Sequence, residues 1–415
     1  MTVRLYEQSP LRAPAEARFQ ARVLRAEARG ERSAVWLDRT LFYPEGGGQP
    51  CDRGVLDGEA VVEVAEEGEE VVHLLASAAA AGWTPGREVA GEVDLARRQD
   101  HAQQHSGQHL LSALLLREGI ETLSFHLGAE ESTIDVASER LDAALVAAVE
   151  RAVNARIRDC LPVTAERHPP AAAAAAAAAL RKPPEEKALL SPRGLRVVRI
   201  GGPEAVDTDA CCGTHVGSTG ELGLLLVLGW ERGRKGQTRV RFVAGERALR
   251  AVRARLDALG AACAALTTGH EELPARVSGL LEQSKDLGKR LERYEQEAAR
   301  QEGERLARAG GPLRRVARWE GAASALGALA RGYLEATPEG VIVCAHAGER
   351  LSLVVARGEA AAASACDPAA WVRELLTPLG GRGGGKGATA QGSAPDAGRL
   401  EDLLRAARAL CGEAE

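Results

Sequence analysis

Short alternating stretches dominate the first part of the chain. Ala21-Arg-Val-Leu-Arg, Ser33-Ala-Val-Trp-Leu-Asp and Val61-Val-Glu-Val-Ala-Glu alternate apolar and polar positions or nearly do, and Val71-Val-His-Leu-Leu fits the same scheme. A period of two is that of a strand with one buried face. Residues 1–92 are therefore predicted to form a small β-barrel or sandwich. The pattern then changes. Asp100 is placed to cap a helix that carries His101, His105 and His109 and runs into Leu110-Leu111-Ser-Ala-Leu114-Leu115-Leu116. Residues 124–136 read as a hairpin and 141–158 as an amphipathic helix. Ala171–Ala179 is an all-alanine run, predicted to be a short helix. Strands are expected at 195–200, 223–229 and 238–243, closing a second block at 93–245.

From 246 to 308 the periodicity is helical. Val277, Leu280, Ser284, Leu287, Leu291, Tyr294 and Ala298 recur at spacings of three and four, with a break at Thr267-Thr-Gly-His and Pro274. This block fits a connector or a coiled coil that pairs two copies into a homodimer. The last block, 309–415, reads as a compact α/β domain. It has strands at 341–345 and 351–356 and helices at 368–376 and 398–411. The expected class is α+β.

Composition narrows the picture. The chain has 415 residues, 45% hydrophobic and 27% charged, with a formal net charge of −5. A nucleic-acid partner then needs a local basic patch, because the global field does not attract it. Aromatics are only 3%. Abundant Ala, Arg and Gly weaken any isolated Arg or Gly as a signal. The 8 cysteines are scattered along the whole length, the chain opens without an apolar leader, and no apolar run is long enough to span a membrane. Free thiols in a reducing cytoplasm are expected.

The candidate chemistry sits in two short stretches. His101, His105 and His109 are spaced by four, so a helix sets them on one face. About a hundred residues on stands Cys211-Cys212-Gly-Thr-His215. Cys211 and His215 complete, with two of the helical histidines, a donor set of the nitrogen and sulfur kind that zinc takes. No Glu follows the first histidine, so the general base of zinc proteases is missing. A purely structural zinc is the competing expectation, although no Cys-x-x-Cys knuckle is present. If Asp100 caps the helix, His101 lies in its frayed first turn, and His105 and His109 are the ligands.

Other stretches are less specific. Gly46-Gly-Gly48 lets a backbone approach something closely, or is simply a tight loop. Gly380 to Gly387 resembles a P-loop only loosely, since Gly387 follows Lys386 where a hydroxyl residue belongs. It is expected to be a flexible loop, or a backbone nest that holds RNA phosphates with Arg382 and Lys386. Arg234 and Lys235 lie in the densest basic stretch of the first half, Trp230 to Arg241, which is a solvated face or a second phosphate contact.

Taken together, the motifs resemble those of the alanyl-tRNA editing family, the editing domain of alanyl-tRNA synthetases and the free-standing AlaX proteins. The carrying residues are Phe42-Tyr-Pro-Glu-Gly-Gly-Gly-Gln49-Pro with Asp52 and Gly54, His105-x-x-x-His109-Leu-Leu, Ser132-Thr-Ile-Asp135, Leu180-Arg-Lys-Pro, and Cys211-x-Gly-Thr-His215-Val with Thr219-Gly-Glu-Leu-Gly. The C-terminal part, with Gly380–Gly387 and Ala390-Gln391-Gly392, looks like the domain that ends alanyl-tRNA synthetases and DHH phosphoesterases. Cys212 departs from the family's Cys-Gly-Gly-Thr-His by replacing the first glycine.

The resemblance implies one zinc ion held by His105, His109, Cys211 and His215. It implies hydrolysis of the ester joining a wrong amino acid, serine first and glycine second, to alanine tRNA, without the ability to charge that tRNA. His126 falls where the family lines its amino-acid pocket; Thr133, Gln49 and Thr214 are further candidates. The alternative is a non-catalytic RNA-binding protein with a structural zinc.

Overall fold

The computed structural model describes residues 2–8, 10–77, 82–139, 141–234, 236–361 and 366–412. They form a mixed α+β protein with several sheets, divided into two compact units, Met1–Ala261 and Ala262–Glu415. All the cysteines are free thiols. Among the described residues no helix is long and apolar enough to cross a membrane.

In the first unit, six antiparallel strands pair in a cycle: Arg18–Arg29, Arg32–Leu37, Glu70–Leu75, Glu59–Glu67, Gly54–Leu56 and Glu88–Val93, the last returning to the first. Alternation drives it. Phe19, Ala21 and Val23 are buried while Arg18, Gln20 and Arg22 face out. The inward set joins Val35, Leu37, Leu56, Val64, Val71 and Leu75 in one core.

Beyond this ring, helix Leu95–Arg117 packs against strands Thr122–Leu127, Thr238–Ala244 and Asp207–Ala210 and against helix Ala143–Arg158. Strands Leu225–Arg232, Thr238–Ala244, Ser132–Val136 and Thr122–Leu127 make a four-stranded antiparallel sheet. Val163–His168, Leu195–Ile200 and Asp207–Ala210 make a three-stranded one. The alanine run forms helix Pro170–Ala177, begun by a proline that needs no N–H partner there.

The histidine helix starts earlier than Asp100. Asp94 is its N-cap, accepting from Arg97 N–H at 3.0 Å. Asp100 lies inside the helix, and its carboxylate is occupied by Arg247. His101 is thus in the second turn and 3% exposed, not in a frayed end.

In the second unit, helix Leu273–Arg308 follows the break at Thr267, whose φ is +48°. Val277, Leu287, Leu291 and Tyr294 of the heptad-like seam are exposed, whereas Ala299 and Gly303 are buried where the helix meets Leu326–Ala336. A five-stranded mixed sheet follows the order Arg314–Arg318, Val341–Ala347, Leu351–Arg357, Thr389–Ala394, Arg382–Lys386. The Gly-rich segment is therefore not a loop. Arg382–Lys386 is an edge strand paired antiparallel with Thr389–Ala394, because the ladder satisfies its backbone groups and helix Pro368–Leu376 packs over it.

Candidate metal centre

The first unit brings His105, His109, Cys211 and His215 together, with one donor atom from each lying within 4.8 Å of the others. Two come from adjacent turns of a helix anchored by Leu110 and Leu111, both fully buried. The other two come from the turn that follows strand Asp207–Ala210. Cys211 Sγ is 3.3 Å from both His105 Nε2 and His215 Nε2.

Each imidazole is held from its far side. His105 Nδ1 pairs with Gln49 Oε1 at 2.8 Å, His109 Nδ1 donates to Asp207 Oδ2 at 2.7 Å, and His215 Nδ1 pairs with Ser106 Oγ at 3.1 Å. Fixing Nδ1 in this way turns Nε2 toward a common point, as metal-binding histidines require. Asp207 is in turn gripped by Arg181, whose Nε donates to Oδ1 at 2.6 Å, and Arg181 also reaches Asp209.

The electrostatics follow from this packing. Burial pushes the Cys211 thiol up, but the neighbouring His105 and His215 outweigh it and hold the pKa well below that of an ordinary cysteine. The thiolate is the form that ligates metal. Burial, helped by the neighbouring His105 and His109, outweighs the Cys211 thiolate and drives the His215 pKa down to about 3. Burial also opposes charge on His109, yet its bonds to Asp207 and Cys211 win, raising its pKa to about 10. Asp207 pays the cost of burial too, but His109 and Arg181 lower its pKa. Three imidazoles and a thiolate suit a transition-metal ion.

Two glycines are dictated by close approach. A Cβ on Gly213 would stand 2.1 Å from His105 Cε1, and one on Gly48 would stand 2.8 Å from the Phe125 carbonyl. The Gly46–Gly48 segment therefore docks against strand Thr122–Leu127, where Leu127 N–H donates to Gly48 O at 3.0 Å. Phe125 lies over His105, with ring centroids 5.1 Å apart. A cleft of about 630 Å³ opens on His105, His109 and Cys211, walled by Tyr43, Ser124, Phe125 and Arg181.

The other expected site residues fall elsewhere or play other parts. Gln49 and Thr214 lie beside the cluster but are spent on each other. Gln49 Nε2 donates to Thr214 Oγ1 at 2.9 Å, and Gln49 Oε1 takes Thr214 N–H at 3.1 Å as well as His105. They position a histidine instead of offering free polar groups to a substrate. His126 and Thr133 are cross-strand partners and are not brought to the cluster. Side chains alternate along a strand, so with Phe125 turned to His105 its neighbour His126 faces the other way and is exposed. Cys212 is exposed. Arg234 is exposed at the turn of the 225–244 hairpin, and Lys235 lies outside the described residues. Arg382 and Lys386 are exposed on the edge strand of the second unit. Reading by spacing missed Asp207, Arg181, Ser106 and Phe125. Arg181 stands in the Leu180-Arg-Lys-Pro motif, which was the one signal for it.

Comparison with known proteins places these features. The family described as "Threonyl and Alanyl tRNA synthetase second additional domain" matches residues 195–241, "tRNA synthetases class II (A)" matches 3–97, and the DHHA1 domain matches 315–413. The alanyl-tRNA editing protein Aarsd1 of Bos taurus is 39% identical over 256 residues, covering 61% of this chain and 55% of the relative. The alanine–tRNA ligase of Methanothrix thermoacetophila is 32% identical over 392 residues, 90% of this chain and 41% of the ligase. That of Natronomonas pharaonis is 32% identical over 421 residues, 98% of this chain and 43% of the ligase. The chain spans about half the length of the relatives it matches. With family matches near both ends and in the Cys-His segment, the chain is similar to proteins named alanyl-tRNA editing proteins and to the matching part of alanine–tRNA ligases.

Proposed function

We propose that the chain is a trans-acting editing hydrolase that removes a wrong amino acid, serine before glycine, from alanine tRNA. The observation that carries this reading is the convergence of His105, His109, Cys211 and His215, the first three of which open on a cleft. Zinc is the ion proposed there, and when bound it supplies Lewis acidity and a water that ionises near neutral pH. The chain's own residues set the stage for it. Gln49, Asp207 and Ser106 hold the imidazoles, and Phe125 covers His105 on one side. Gln108 and Thr122, on the cleft wall and tied to Ser112, supply polar groups for a serine hydroxyl that alanine lacks. Exposed Arg382, Lys386 and Arg234 are the proposed phosphate contacts to the tRNA.

A second reading is favoured by the same donor set. Four protein ligands fill a tetrahedral site, as in structural zinc centres, which suits an RNA-binding protein without catalysis. Incubation with seryl-tRNA and alanyl-tRNA of alanine identity, in separate tubes, separates the two. Loss of serine alone is the expected result. Loss of neither overturns editing in favour of the second reading.

A further inference from the structure

A second cavity, of about 600 Å³, lies in the first unit on the other side of the Cys-His turn, lined by Thr214, His215, Ala165 and Arg196 among others. Its charges are matched with one exception. Arg98 is paired with Asp52, Arg12 with Glu221 at 2.7 Å, and Glu7 with both Arg167 and Arg193. Arg196 is only 6% exposed. Its Nη1 donates to the carbonyls of Cys211 at 2.8 Å and Gly213 at 2.9 Å, and among the described residues no carboxylate lies within ion-pairing distance of it.

The strand register sharpens the imbalance. Arg196 on strand Leu195–Ile200 stands directly opposite Arg167 on strand Val163–His168. Like charges facing each other across a ladder repel. Glu7 serves Arg167 and Arg193 and leaves Arg196 without a counter-ion. A buried cation carries a desolvation cost that only an opposite charge or full hydrogen bonding offsets. Two carbonyls engage one of its nitrogens, and the rest of the guanidinium borders the cavity.

We propose that this cavity is an anion site that takes one phosphate group, with Arg196 as its charged ligand. The guanidinium fork matches phosphate oxygens in geometry as well as charge. The phosphate comes either from a free phosphate-bearing small molecule or from the backbone of an RNA 3′ end. Only the RNA source rests on the editing reading, and phosphate binding is measured on the chain alone, so either idea can fail without the other. Because Arg196 also holds the carbonyls of Cys211 and Gly213, an anion on it bears on the turn that carries two of the four clustered donors.

The test is calorimetric titration of the full chain with inorganic phosphate and, separately, with a CCA trinucleotide. Two variants accompany the wild type. Arg196→Gln removes the cation. Ala165→Glu places a carboxylate on the same face as Arg167, two residues along its strand, in a cavity residue that does not line the metal cleft. Saturable binding by the wild type, weakened about tenfold or more in both variants, is expected. Tighter capture of the trinucleotide assigns the phosphate to RNA, and capture of inorganic phosphate alone assigns it to a small molecule. Should Arg196→Gln fail to fold, Ala165→Glu decides by itself. No saturable binding of either ligand, or binding unchanged by Ala165→Glu, overturns the site.

Discussion

Asp207 and His109 are joined by a 2.7 Å hydrogen bond from Nδ1 to Oδ2 in a place where both side chains are almost sealed from water. The second carboxylate oxygen of Asp207 is held by Arg181. The pair fixes which nitrogen of His109 faces the cluster. Asp207→Asn keeps the shape but removes the charge that favours Nδ1–H. Metal affinity is expected to fall about 10- to 100-fold, measured by competition with a chromophoric chelator. Unchanged affinity would show that packing alone orients His109.

The ligand register is open to direct assay. Cys211 Sγ faces two imidazole nitrogens, whereas Cys212 is exposed. His101 is buried one turn before His105, with Nδ1 unpaired, and is not in the donor set. Cys211→Ala and His109→Ala should lose the metal almost completely, while Cys212→Gly and His101→Ala retain it, as read by elemental analysis. Metal kept in His109→Ala and lost in His101→Ala would put the site one turn earlier.

His73 makes acid stability a local question. It is fully buried in the six-stranded ring, where Nδ1 donates to the Val35 carbonyl at 3.1 Å and Nε2 accepts from the Thr40 hydroxyl at 2.8 Å. Burial drives its pKa down to about 4, against ~6.5 in an unfolded chain. The unfolded chain therefore takes the proton first as pH falls. The stabilising contribution is complete above about pH 6.5 and is lost as pH falls to about 4, costing ~2 kcal/mol by pH 5. Urea unfolding at pH 7 and pH 5 should show a smaller pH dependence in His73→Leu than in the wild type. Equal dependence would place the acid sensitivity elsewhere.

The edge strand of the second unit offers a test of the RNA contacts. Arg382 and Lys386 are exposed at its two ends. The double variant Arg382→Ala with Lys386→Ala should weaken tRNA binding and flatten its salt dependence by up to about two units of slope, since each phosphate contact releases counter-ions. Binding and slope equal to the parent would remove this strand from the interface.

What could be read from the sequence was whatever repeats or lies close along the chain. Period two marked the strands of the first block, because each has one buried face. Spacing by four marked His105 and His109 as neighbours on a helix, and Cys211 and His215, four residues apart, meet across one short turn. The family motifs pointed to the same two stretches. Local signals failed where two candidates were chemically equal. Asp94 and Asp100 can each cap a helix, and the choice fell to Asp94 because Arg247, distant in sequence, engages the carboxylate of Asp100. The Gly-rich segment carries no side-chain pattern, so only its pairing with Thr389–Ala394 makes it a strand. The partners that orient the imidazoles were decided by tertiary structure alone. Gln49 and Asp207 come from opposite directions along the chain to His105 and His109, and hydrogen bonds between such distant positions leave no periodicity to read.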